Sequence, residues 1–279
     1  MKYRGVHRQQ LFHWIGHHID YPDRDNQRRR IKKLEDSHRR EYIQCLRSAL
    51  ESGLRLKIPN PADAIDDGRL IKVTRPILCF TEWSLGDSQP HVFKYGRLGL
   101  GLPKSFVLSK GGLPVAYIRD RRAAYVKALL HLAEHVRDLP EDRKHRGVKD
   151  DFDFVSQFFK ALRKPGEKRR KSAPFSRERR KGGKSPDPFK RRFGGYLQYL
   201  EEREWRIVMS EAMKRKLKRE DDGDIWCLPV RPGHELFTVV LPDNRTTNMA
   251  LNDGFIRGRL FPTSGPHVTV LSLEDIPTF

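Results

Sequence analysis

Cysteine is scarce in this 279-residue chain: Cys45, Cys79 and Cys227 are the only three, far apart and odd in number. That excludes a disulfide framework and fits a reducing, cytoplasmic setting. No CxxC pair occurs, so a thiolate zinc site is not expected. Long apolar runs are missing as well. Without 18 consecutive apolar residues no membrane-spanning helix is predicted. The opening MKYRGVHRQQLFHWIGHHID lacks the apolar stretch of a secretory signal, and none is expected. Internal repeats are absent. His13, His17 and His18 lie close together but do not form the HExxH pattern of a helical zinc site, and no metal is predicted.

What the chain has in excess is positive charge: 56 Lys/Arg against 36 Asp/Glu, a net +20. Residues 160–192 alone hold 15 Lys/Arg against 3 Asp/Glu, so most of the excess belongs to one segment. Within it, residues 163–192 are poor in apolar residues and rich in Pro, Gly and Ser. Such a composition buries too little surface to offset the entropy of ordering. The expectation is a basic, disordered or adaptable loop inserted in one domain spanning 1–279. Lys168, Arg169, Arg170, Lys171, Arg179, Arg180 and Lys181 are its candidate contacts to phosphate backbones, without sequence reading. Phe175 and Phe189 are the only aromatics in that loop, too few to support base stacking. A solvated loop that aids solubility fits the same composition.

Elsewhere the periodicity predicts α+β: a mixed, largely antiparallel sheet with helices packed around it. A helix is predicted over 36–52, from Ile43, Leu46 and Leu50 on one face and Gly53 just past its end. Further helices are predicted over 90–95, 119–137 and 152–162. Strands are predicted over 77–81, 113–118 and 204–209, with β-rich stretches at 235–241 and 267–273. In the 204–209 strand, Trp205, Ile207 and Met209 should face the core. Glu202, Glu204 and Arg206 should form a polar row on the other side.

Four groups could carry chemistry. The Glu202, Glu204 and Arg206 row could stabilise positive charge at a sugar carbon, or hold ribose hydroxyls, or be a salt-bridged outer face. The glycines of KYGRLGLGLPKS (residues 94–105) could let a ligand approach the backbone, or mark a tight turn between helix and strand. Thr81 and Glu82 end a buried strand, where a pocket rim would lie. The basic loop is the fourth.

The stretch CFTEW…H…YGRLGLGLPKSF…GGLPVAYI resembles the central block of the AbiGi antitoxin family of abortive phage resistance proteins. His91, Tyr95, Gly96, Gly99, Gly101, Lys104, Pro114, Val115 and Tyr117 stand at the family's positions, with Pro103 where Ser is frequent. EREWRIV and FHWIGH resemble further elements of that family. The resemblance implies a cytoplasmic phage-defence protein acting with a toxin partner. The order of His, Thr-bearing strand, Tyr-Gly and late strand Glu is also similar to ADP-ribosyltransferase folds. That similarity implies NAD as cofactor, with His13 and Tyr95 holding it and Glu204 or Glu202 catalytic. The combined candidate ligand-binding set is His13, Thr81, His91, Tyr95, Gly96, Lys104 and Arg206. Two functions follow as expectations: an antitoxin-type protein binding a toxin or nucleic acid, and an ADP-ribosyltransferase-like enzyme acting on nucleic acid or protein.

Overall fold

The computed structural model describes residues 10–21, 33–58, 75–82, 84–118, 124–161, 203–219 and 225–277. Glu202 and the seven cations singled out in the basic loop lie outside the described residues, as does the loop itself.

The main sheet is built from β1 (Gln10–Ile15), β3 (Ile77–Thr81), β4 (Leu98–Pro103), β5 (Leu113–Pro114), β8 (Glu204–Val208), β11 (Thr238–Leu241) and β12 (Thr269–Ser272). Their order is β12-β11-β4-β1-β3-β8-β5, and only the β11/β12 pair is parallel. A small antiparallel sheet joins β2 (Leu54–Leu56), β10 (Trp226–Leu228) and β9 (Lys218–Arg219). A parallel pair joins β6 (Ala116–Ile118) to β7 (Phe159–Ala161). Helices surround the sheets: α1 (His17–Asp20), α2 (Asp36–Glu51), α3 (Gln89–Tyr95), α4 (Lys104–Ser109), α5 (Ala124–Asp138), α6 (Arg143–Ser156), α7 (Glu211–Lys214), α8 (Asn244–Asn252) and α9 (Gly254–Leu260). The fold is thus α+β, with a mixed and largely antiparallel sheet. Among the described residues no helix is long and apolar enough to cross a membrane.

Both faces of the main sheet are covered, which is why its middle strands are buried throughout rather than alternating. One face carries Leu11, Leu78, Phe80, Leu98, Leu100, Leu102, Trp205, Ile207, Val239 and Leu241. Tyr42, Leu46, Ala49 and Leu50 of α2 pack onto it, with α4, α8, α9 and the small sheet. The helix begins in a capping box, where the Glu35 N–H donates to His38 Nδ1 at 3.2 Å. Gly53, at φ +106°, follows its last turn. At the edge of this core the wholly buried Asp20 accepts from Tyr42 Oη at 2.9 Å and pairs with Arg97 Nε at 3.2 Å.

The opposite, α3 face is divided. Phe12, Trp14, Val92, Val240, Leu273 and Ile276 form one apolar cluster, and Ile77, Val208 and Phe158 another. β4 presents Gly99 and Gly101 here. A Cβ on Gly99 would come within 2.6 Å of the Trp14 ring, and one on Gly101 within 2.8 Å of the Phe12 ring. The missing Cβ atoms at these glycines leave room for the Trp14 and Phe12 rings close against the strand.

Several expectations are corrected. YGRLGLGL is no mere turn: after Gly96 it runs straight into the central strand β4. The helix expected over 152–162 ends at Ser156, begins earlier, at Arg143, and is followed by β7. The strand expected over 113–118 breaks at Val115, whose N–H goes to the Glu204 carbonyl at 2.8 Å. The next N–H, of Ala116, goes to the Phe158 carbonyl at 2.8 Å. Tertiary pairing with β8 and then with β7 decides that break.

A candidate site on the divided sheet face

Cross-strand register builds the site. Thr81 of β3 lies opposite Glu204 of β8 on one side and Phe12 of β1 on the other. Cys79 lies opposite Arg206. All therefore share the α3 face. Glu204 is only 8% exposed. Its Oε1 accepts from Arg206 Nε at 2.7 Å and its Oε2 from Tyr117 Oη at 3.0 Å. Arg206 Nη1 donates at 2.5 Å to the carbonyl of Gln157, the C-cap residue of α6, where the helix dipole favours a cation.

The electrostatics lock this arrangement. Burial works against charge on the Arg206 guanidinium, but the adjoining Glu204 carboxylate outweighs it and raises its pKa further. Burial, then the Glu204 charge, pushes the Tyr117 phenol upward, so it stays protonated and donates. Tyr95 lies near enough to add to that rise, and its ring stacks on His91 at 5.9 Å and 23°. A buried pair of this kind adds little net stability. Removing one partner strands a charge and costs about 3–5 kcal/mol.

The structure thus brings Thr81, His91, Tyr95, Glu204 and Arg206 to one face of the sheet. It places three other candidates elsewhere. His13 corrects the expectation of a common cleft with Tyr95 and Glu204, because it projects from β1 toward the opposite face. There its Nδ1–H donates to the Cys79 carbonyl at 2.8 Å and its ring sits 5.8 Å from that of Phe80. β1 and β3 pair at Phe12 and Thr81, and the imidazole supplies a neighbouring β3 carbonyl with a donor. Burial, reinforced by the Lys57 charge, lowers the His13 pKa to about 4 despite the bond to Cys79, leaving a neutral ring at neutral pH.

Lys104 is likewise separate. Its Nζ lies 2.7 Å from Glu82 Oε1 and 4.5 Å above the Trp205 ring, while Trp205 Nε1 donates to Glu82 Oε2 at 2.8 Å. Burial opposes the Glu82 charge, but Lys104 and Trp205 overcome it and hold the carboxyl below its ordinary range. Gly96, at φ +115°, caps α3. A Cβ there would collide with the Ile15 carbonyl, so the chain itself fills the space a ligand would need on that side.

The sequence places Tyr117 in a strand and among the family's positions without giving it a role, and it singles out neither Gln157 nor Trp14. Nothing in the local pattern marks Tyr117, since the break at Val115 that turns it toward Glu204 comes from long-range pairing. Two buried groups on this face have no hydrogen-bond partner among the described residues, Thr81 Oγ1 and Trp14 Nε1. Each such orphan costs about 1–3 kcal/mol. Among the described residues no group of His, Cys, Asp and Glu is placed to hold a metal.

No curated protein and no solved structure matches this chain. Residues 63–222 match the family model described as "Putative abortive phage resistance protein AbiGi, antitoxin". That span is more than half of the 279 residues and holds the whole Glu204, Tyr117 and Arg206 network, and the chain belongs to this family.

Proposed function

We propose that the chain acts in phage defence as an antitoxin-type protein that works by binding a toxin protein, with its basic segment adding an electrostatic contact to nucleic acid. The family match over residues 63–222 carries this reading. The commitment of both Glu204 oxygens to neighbours within the fold supports binding over catalysis. Pull-down with the tagged chain, followed by co-expression with any growth-arresting protein that it captures, tests the proposal. Growth arrest should be relieved and the two proteins should co-elute; an unrelieved arrest without co-elution sinks it. Replacing Lys168, Arg169, Arg170, Lys171, Arg179, Arg180 and Lys181 by Ser should weaken nucleic-acid binding and flatten its salt dependence.

The ADP-ribosyltransferase reading keeps one supporting observation: Tyr95 and Glu204 lie on the same sheet face, close to Tyr117. Thermal unfolding with millimolar NAD separates the two readings. An upward shift that Glu204→Gln abolishes would make NAD-dependent transfer the leading reading, and an unchanged midpoint leaves antitoxin binding in place.

A further inference from the structure

Half of the large apolar side chains exposed among the described residues lie on one helix pair. They are Tyr125 (58%) and Leu132 (50%) of α5 with Val148 (48%) and Val155 (52%) of α6, four of eight. Residues 139–142 join the two helices, a connection short enough to make them antiparallel neighbours. Lys149 of α6 reaches back to the Arg137 carbonyl at 3.3 Å, as that arrangement requires. Between the helices Val126, Leu129, Ala133 and Phe152 form a small core. Tyr125 and Leu132 each precede a residue of that core by one position. Val148 and Val155 stand four before and three after Phe152. In an antiparallel pair both offsets turn toward the same side of the hairpin. The opposite offset on α6 is fastened to the sheet side, where Asp153 pairs with Arg75 Nε at 3.1 Å.

The strip is complementary to itself. Tyr125 and Leu132 are seven residues apart, as are Val148 and Val155, which is the repeat of a helical-bundle seam. Counted outward from the connection, Leu132 is level with Val148 and Tyr125 with Val155, giving two apolar layers about 10 Å apart. A half-turn about an axis parallel to the helices lays α5 of one copy on α6 of another, antiparallel and at the same height. Each layer then meets its own counterpart. The polar margins match as well: exposed His131 borders the strip on α5, exposed Asp151 borders it on α6 at the same level, and the half-turn brings them together. We infer that this face binds a second copy of the chain as an antiparallel four-helix bundle. In it Tyr125 meets Val155 of the partner subunit, and Leu132 meets Val148 of the partner subunit. Two helices about 21 Å long cover roughly 400 Å² per copy, about half the standard interface, so the dimer is reversible and forms with rising concentration. The inference does not depend on what the chain binds in phage defence.

The test is sedimentation velocity of the nuclease-treated full chain, from low micromolar to several hundred micromolar. The average mass should rise from 32.7 kDa toward twice that value. Leu132→Asp should hold it at the monomer mass. Its thermal midpoint should stay within about 2 °C of wild type, because the side chain is half-exposed. His131→Asp sets like charges against Asp151 of the partner subunit and should weaken association about tenfold. Adding Asp151→Lys to it should restore association. Three results overturn the inference. The wild-type chain stays monomeric throughout, as it would if a different protein occupied the strip. Leu132→Asp associates as wild type does. The double charge swap remains as weak as His131→Asp alone.

Discussion

The two faces of the main sheet are built from the same strands by opposite means. On the α2 face β1, β3, β4, β8 and β11 contribute large aliphatic or aromatic side chains, and they merge into one continuous core that reaches α2, α8 and α9. On the α3 face the apolar residues fall into two smaller clusters, with Thr81, Glu204, Arg206, Tyr95, Tyr117 and His91 among and around them. The first face draws stability from non-directional burial. The second depends on hydrogen bonds whose partners come from β6 and from the C-terminal end of α6, so its geometry is specified rather than merely filled. Substitutions should therefore read differently on the two faces.

The largest effect is expected from Arg206→Ala. It leaves Glu204 buried without its cation, and urea unfolding should show a loss of about 3–5 kcal/mol. Replacing both together, as Glu204→Gln with Arg206→Met, should recover much of that loss; no recovery would mean the face is held by something other than the charge pair. On the opposite face, Leu100→Ala should cost about 2–5 kcal/mol by the same measurement, through lost burial and a residual cavity. A smaller loss there than for Tyr117→Phe would reverse the comparison.

An acid-sensitive loss of similar size is expected at the seam between β1 and β3. His13 titrates near 4 in the folded chain against 6.5 unfolded. The unfolded chain therefore binds more protons between those values, and stability falls as pH drops from 6.5 to 4 and levels off below. The loss should total roughly 3–3.5 kcal/mol. Glu82, Asp243 and Asp253, all held below their ordinary values, add further loss in more acid solution. Wild type therefore has to be compared with His13→Gln across that range, and equal pH profiles would remove the claim. The smallest effect is that of Tyr117→Phe, which deletes one hydrogen bond to a carboxylate and should cost about 1.5–3 kcal/mol in urea unfolding.

Part of this architecture is legible from residue spacing. The alternation of Trp205, Ile207 and Met209 places them in the core as read, because a strand's period survives whatever lies above it. The spacing in α2 and the glycine after it likewise locate that helix. The same alternation puts Glu204 and Arg206 on the other side, but only the covering by β6 and α6 makes that side buried. β4 was opaque because glycine is a poor strand former, and the rings that fill its glycine positions come from the distant β1. The separation of His13 from Glu204 depends on the registers linking β1 to β3 and β3 to β8, which no local pattern encodes.

The position of β1 also bears on how this family's shared segment can be handled. β1 lies between β3 and β4, yet it precedes the span matched by the family model. A fragment cut to residues 63–222 would keep β3, β8 and β5 on one side and β4 on the other, with nothing between them. Each half would expose an unpaired strand edge beside bare apolar surface, the condition under which sheets associate with one another. Fragments made for expression, or for mapping a partner's footprint, therefore need to begin ahead of Gln10. Otherwise they will report on aggregation instead of recognition.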